Sequence, residues 1–106
     1  MAKYLITASY TADGVKGVLK GGGTARVDAV RSMIDGLGGK LESLYFAFGD
    51  VDVYAIADLP DNVAAAAIGL AVSASGLTAA KTTVLLTPAE IDEAAKRQVD
   101  YTPPGK

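Results

Sequence analysis

Three observations in the sequence predict an α+β fold. Four segments alternate apolar and polar residues, as the strands of a sheet do. Between them, apolar residues recur at helical spacing and are bounded by glycine or proline. The order of these segments, β-α-β-β-α-β with one further helix, is that of a ferredoxin-like fold with a four-stranded antiparallel sheet. The predicted strands are Lys3–Tyr10, Lys40–Phe48, Val51–Ala57 and Ala79–Leu86.

The first predicted helix is divided by the run Gly21-Gly22-Gly23. Thr11 is a suitable N-cap for its first half, and Thr24 for its second half, which extends to Leu37. Glycine tolerates positive φ and is unfavourable inside a helix by about 1 kcal/mol, so the run predicts a break. An alternative is that the helix start at Thr24, with Arg26 nearby, holds an anion, although the run does not match a phosphate-binding P-loop.

The second crossover helix is predicted to follow Pro60-Asp61-Asn62 and to end at Gly76. A final short helix is predicted after Thr87, where Pro88 and Glu90 complete a capping box. The proline-rich tail, Asp100–Lys106, is predicted to be non-helical, and either frayed or laid extended on a neighbouring molecule. The stripe of the second helix predicted to face the core consists of Val63, Ala66, Ala67, Leu70, Ala71 and Ala74.

The sheet is predicted to need a second copy of the chain. Right-handed crossovers place both crossover helices on one face of the sheet and leave the other face uncovered. Both faces of the segment Lys40–Phe48 are nevertheless largely apolar. We therefore expect self-association into a homodimer or higher homo-oligomer, with two sheets enclosing a barrel-like core. The two faces of this segment are predicted to carry Leu44, Phe46 and Phe48 on one side and Leu41, Tyr45 and Ala47 on the other.

The composition of the chain argues against several classes of function. The 106 residues suit a single domain, residues 1–106, and half of them are apolar. A net charge of −2 argues against a nucleic-acid partner. No apolar run reaches the ~20 residues of a membrane span, and no signal segment is apparent, so we expect a cytoplasmic protein without a membrane partner. The chain has no Cys and no His, which argues against a metal site, a cofactor and nucleophile–histidine catalysis.

Five segments together resemble the GYD-domain family. They are Lys3–Ile6, Tyr45–Val53, Asp58–Asp61, the alanine-rich helix and Thr82–Pro88. The resemblance spans essentially the whole chain and implies a dimeric α+β barrel, which agrees with the expected self-association. One position departs from the family pattern: Val51 stands where the motif has an aromatic residue. The resemblance implies no substrate.

Asp50 and Asp52 are the candidate acid–base groups. Two carboxylates two residues apart on a strand share a face and can shift each other's pKa. Asp52 would act as a general base, with Tyr54 as a partner, if its surroundings brought its pKa towards neutrality. The structural alternative is that Gly49 makes a turn while the carboxylates accept hydrogen bonds from loop amides. Two carboxylates without further ligands are a weak metal signal.

Aromatic residues are the other candidates. Tyr45, Phe46, Phe48 and Tyr54 are predicted either to pack in the core or dimer, or to line a ligand pocket together with Asp50 and Asp52. The leading hypothesis is a small-molecule-binding or accessory homo-oligomer whose ligand is small and apolar or aromatic. The alternatives are a cofactor-independent isomerase or monooxygenase and a structural assembly subunit. The absence of His and Cys favours the first and last of these.

Overall fold

The computed structural model describes all residues from 1 to 106 and has an α+β architecture. Four strands form one antiparallel sheet in the order β2 (Lys40–Phe46), β3 (Val53–Leu59), β1 (Ala2–Tyr10) and β4 (Thr78–Leu85), and three helices complete the fold, in agreement with the ferredoxin-like prediction. No helix combines the length and apolar character that crossing a bilayer requires. The elements are β1 (Ala2–Tyr10), α1 (Ala12–Gly36), β2 (Lys40–Phe46), β3 (Val53–Leu59), α2 (Asn62–Ala74), β4 (Thr78–Leu85) and α3 (Pro88–Ala95).

The core lies between the sheet and the two crossover helices. Tyr4 on β1, Leu59 on β3 and Ile34 on α1 are its largest fully buried side chains. The Tyr4 hydroxyl donates a hydrogen bond of 2.6 Å to Asn62 Oδ1, so this buried ring also anchors the start of α2. Every second residue of β3 is buried, because the strand alternates between the core and the outer face of the sheet.

A β-bulge in β2 changes which of its residues face the helices. The register shifts between Leu41 and Ser43, so Glu42 is left without a partner on β3. The shift turns Leu41 towards the helices, where it is buried in the core beside the partly buried Leu44. The prediction that Leu41 shares a face with Tyr45 is therefore wrong. The outer face of β2 carries Ser43 and Tyr45 and is less apolar than the sequence predicted.

Helix α1 bends where the glycine run predicted a break. Gly22 has φ 83° and ψ 167°, and helical geometry resumes on both sides of it. Positive φ is accessible to glycine at little cost, so the chain changes direction there without a loop. Thr11 caps the helix, as predicted, through a hydrogen bond from the amide of Gly14.

The apolar stripe of α2 points the other way from the prediction. Ala65 and Ile68 are buried against the sheet, with Ala64 and Val72 beside them. All six residues of the predicted stripe are exposed to solvent, because this helix is apolar on every side and the sequence offers two stripes of similar strength. The outer face of α2, defined as Val63, Ala66, Ala67, Leu70, Ala71 and Ala74, carries no charge.

The end of the chain extends away from the core. Every residue from 86 to 106 is exposed, although α3 begins with the predicted capping box between Thr87 and Glu90. The radius of gyration is 17.0 Å, whereas a compact domain of this length has about 13 Å. Ile91, Val99 and Tyr101 therefore have no core to pack against within the chain.

Gly14 is required by close packing. A Cβ atom at this position would collide with the backbone carbonyl of Leu77, which also accepts a hydrogen bond from the amide of Thr11. We expect Gly14→Ala to lower the free energy of unfolding by about 1–3 kcal/mol, since a rigid backbone must move. The control is Gly69→Ala, where a Cβ meets nothing within 4 Å; it should stabilise α2 by up to about 1 kcal/mol. Urea denaturation measures both, and equal effects would contradict the packing argument.

Candidate functional site

An apolar chamber lies between the helices and the sheet. Its volume is about 50 Å³, and all but two of its fourteen lining residues are hydrophobic. Strands β1, β3 and β4 form its floor, and the second half of α1 together with α2 forms its roof. The lining includes Ile6, Met33, Val53 and Ala80, together with the polar pair Arg26 and Thr78.

A wider cleft adjoins this chamber. Its volume is about 270 Å³, and it runs along the first half of α1, past the kink at Gly22. Thr78, the first residue of β4, and Leu77 just before it line the opposite side. The chamber and the cleft share three lining residues, Tyr10, Arg26 and Thr78, which therefore form the junction between them. Together they have the size and apolar character of a small-ligand site.

Arg26 is the charged group at this junction. Its Nε atom is buried and has no hydrogen-bond partner in the chain. Its guanidinium group takes part in none of the five ion pairs, which use Lys3, Lys16, Arg31 and Arg97 as cations. Buried donors are nearly always satisfied in folded proteins, so an unpaired one at the wall of a cavity marks a place where a further group can bind.

The loop between β2 and β3 holds Asp50 and Asp52 against the end of β1. Asp52 Oδ2 accepts a hydrogen bond of 2.9 Å from the amide of Tyr10, and its own amide donates to the carbonyl of Ala8, also at 2.9 Å. The carbonyl of Asp50 accepts a hydrogen bond from the hydroxyl of Ser9. These contacts agree with the structural alternative, in which the carboxylate of Asp52 organises a loop. Its role as a general base stays a prediction.

The aromatic candidates are distributed over three places. Tyr45 and Tyr54 are cross-strand neighbours on the outer face of the sheet, away from the chamber. Phe46 lies on the helix side, where its ring contacts Gly23 beside the kink of α1. Phe48 is fully exposed in the loop. Neither these four residues nor Asp50 and Asp52 line the chamber or the cleft, and their part in ligand binding stays a prediction.

The outer face of the sheet combines apolar and charged residues. Its centre contains Leu5, Ile56 and the Tyr45–Tyr54 pair, as the strand register requires. At one end Lys3 bridges Glu42 and Asp58, at 3.1 and 3.2 Å. Hydrogen bonds to Glu42 and then Asp58 raise the pKa of Lys3 above its ordinary value. An apolar centre with a charged margin is typical of a protein–protein interface.

The junction residues could be found only in part from the sequence. Arg26 was noticed as a possible anion ligand at the start of a helix, but the structure turns it into the cleft instead. Tyr10 is the last residue of the first predicted strand, and Thr78 lies just before the fourth predicted strand. They are cross-strand neighbours on β1 and β4, a contact between segments far apart in the sequence. No local spacing signals such a pair.

The chain belongs to the GYD-domain family. A sequence model of the GYD domain matches residues 4–95, which confirms the resemblance noted in the sequence. The matched range includes the sheet, both crossover helices, the chamber and the cleft. No curated protein and no solved structure matches the chain.

The contact between Asp52 and Tyr10 can be tested directly. We expect Asp52→Ala to lower the free energy of unfolding by about 1–3 kcal/mol, because the amide of Tyr10 loses a charged acceptor. Asp52→Asn keeps an acceptor oxygen and should cost less. Asp50→Ala is the control, since the side chain of Asp50 is exposed and accepts no hydrogen bond, and it should stay within about 0.5 kcal/mol of the parent. A loss no larger than that of the control, in urea denaturation, would refute the structural role of Asp52.

Proposed function

We propose that this GYD-domain protein binds a small apolar or aromatic molecule and works as a homo-oligomer. The observation that supports binding is the apolar chamber and its adjoining cleft, with a cation and a tyrosine at the junction. The cleft is open to solvent, so a ligand can enter without unfolding of the core. A binding function does not require His or Cys, which the chain lacks. A cytoplasmic location stays a prediction.

Self-association is supported by two surfaces that a single chain leaves exposed. The centre of the outer sheet face carries the Tyr45–Tyr54 pair, and tyrosine is enriched in interface centres. The outer face of α2 exposes 76% of Val63 and 74% of Leu70 and bears no charge. Apolar surfaces of this kind are usually covered in water. We propose that two sheet faces pair in a dimer and that α2 provides a further contact between dimers.

Two alternatives stay open beside this proposal. A purely structural subunit would use the same two surfaces and leave the chamber empty. A cofactor-independent isomerase or monooxygenase would use Asp52 and Tyr54 as acid–base groups. Asp52 is occupied by the amide of Tyr10, and Tyr54 lies on the outer sheet face, whereas the chamber lies on the helix side. The arrangement therefore favours binding over this catalytic pair.

Native mass spectrometry of gently purified protein tests the binding proposal. We expect a mass excess of one small organic molecule per chain, which disappears when the protein is denatured, because the chamber and cleft together suit one small ligand. Ala25→Phe is the informative variant, since this exposed side chain lines the cleft and the added volume should displace the ligand. An assembly that is empty in every preparation, and that takes up none of a panel of small aromatic molecules, would favour the structural subunit.

Sedimentation velocity of two charge variants tests the assembly proposal. Tyr54→Glu should give monomers, because the carboxylate would be buried between two sheets. Leu70→Glu should retain dimers and lose any larger species, since its side chain is on the outer face of α2. Both side chains are exposed within the chain, so each variant should keep its circular dichroism spectrum. A parent protein that sediments as a monomer at micromolar concentration would refute self-association.

A further inference from the structure

We infer that the ligand is a small organic carboxylate, which pairs with Arg26 while its apolar body lies in the cleft along the first half of α1. This inference rests on the proposed function, because it names the chemical class of ligand for the same site. Three features carry it: the unpaired guanidinium group, the sizes of the two cavities, and glycines in α1 that the fold does not require.

The guanidinium group of Arg26 has a buried N–H group but no hydrogen-bond acceptor in the chain. Its Nε–H is buried and unpaired, and no carboxylate of the chain lies within ion-pair distance of its nitrogens. A buried N–H group of a charged side chain that lacks an acceptor carries a free-energy cost, which an incoming anion would relieve. The planar guanidinium fork matches a carboxylate through two parallel hydrogen bonds.

The other charges at the cleft favour a singly charged anion over a phosphate. Arg26 is the only basic residue among the twelve that line the cleft, and Asp13 is also present. Asp13 is exposed and lies 3.9 Å from Lys16, which offsets its charge in part. A doubly charged phosphate group would normally meet several cations or a series of backbone amides. A single arginine in a largely apolar cleft is suited to a carboxylate.

The cavity sizes place the body of the ligand in the cleft. The chamber of about 50 Å³ is smaller than the ~150 Å³ cavity that accommodates a benzene ring, so at most a small alkyl group enters it. The cleft of about 270 Å³ is large enough for a ring or a short chain. Because Arg26 lines both cavities, a carboxylate at the junction leaves its apolar body in the cleft, between α1 and Leu77.

Two glycines keep this cleft open. Gly17 and Gly21 lie inside α1 and line the cleft. A Cβ atom at Gly17 would meet nothing within 4 Å, and one at Gly21 would make only an ordinary contact with Ala25. The packing of the chain would therefore accept alanine at both positions, which is the better helix former. Alanine at either position would add a methyl group at the wall of the cleft, so glycine leaves that space free for a ligand.

The test compares phenylacetate with phenylacetamide, its neutral counterpart of the same shape, by isothermal titration calorimetry. We expect phenylacetate to bind about tenfold more tightly or better, because only the carboxylate pairs with Arg26. The Arg26→Gln variant should bind phenylacetate and phenylacetamide with the same weak affinity. Arg31→Gln is the matched control, since Arg31 is an exposed residue of the same helix that pairs with Asp28. Phenyl phosphate, as a third probe, should bind no more tightly than phenylacetate.

A pair of glycine variants tests the position of the body. Gly17→Ala and Gly69→Ala should both raise the melting temperature, because each adds a helix former in open space. Only Gly17→Ala should weaken phenylacetate binding, by about tenfold, since its methyl group stands in the cleft. A protein that is more stable and binds less well cannot be explained by a damaged fold.

The unfavourable outcomes separate the two proposals. Equal binding of phenylacetate and phenylacetamide, unchanged binding by Arg26→Gln, or tighter binding of phenyl phosphate would overturn the carboxylate inference and leave a binding function standing. Failure of all three probes would also overturn the inference, and the native mass spectrum then decides the proposed function separately. An empty spectrum together with failed titrations would overturn both.

Discussion

The burial of one sheet face beneath two helices is the interaction on which the rest of this structure depends. It is strongest at the end of the sheet where Tyr4, Leu59 and Ile34 fill the space completely. At the opposite end, near Tyr10 and Thr78, the same layer is incompletely filled and opens into the chamber and the cleft. One layer therefore provides both the stability of the fold and its candidate site.

The kink of α1 explains why the layer closes at one end only. The second half of the helix supplies Val27, Val30, Met33 and Ile34 to the core. Before Gly22, the first half of the helix contributes mainly glycines to the wall of the cleft. Gly14 and the carbonyl of Leu77 make its contact with the segment that leads into β4. Small side chains leave space that large ones would fill, so the glycine-rich half creates the cleft. The same kink positions Arg26, one turn further along, at the junction.

The apolar surfaces that the single chain leaves exposed are available for assembly. A chain of this size buries only part of its apolar surface, and here only 11 of 106 residues are buried. The outer face of α2, the Tyr45–Tyr54 pair and the exposed α3 remain available for contact. In the proposed assembly these surfaces are covered on the outside, while the chamber lies on the inner side of the sheet. Assembly and ligand binding would then use separate surfaces.

The sequence by itself determined the elements, their order and the family. Alternation, caps and glycines are local signals, so they predicted all four strands, the cap at Thr11, the kink at Gly22 and the capping box at Thr87. The strand ends differ from the prediction: β3 begins at Val53, two residues later than predicted, because loop contacts of Asp52 end the pairing.

Only the tertiary structure decided which surfaces face one another. The bulge at Glu42 turned Leu41 inwards, and packing against the sheet selected one of two equivalent stripes on α2. The junction of Tyr10, Arg26 and Thr78 joins three elements, of which β4 is distant from the other two in the chain. The spacing of apolar residues indicates whether a segment is a helix or a strand. The contacts between elements depend on the register of the strands and on the rotation of each helix about its axis. A residue's neighbours across the core are therefore fixed only when the layers pack.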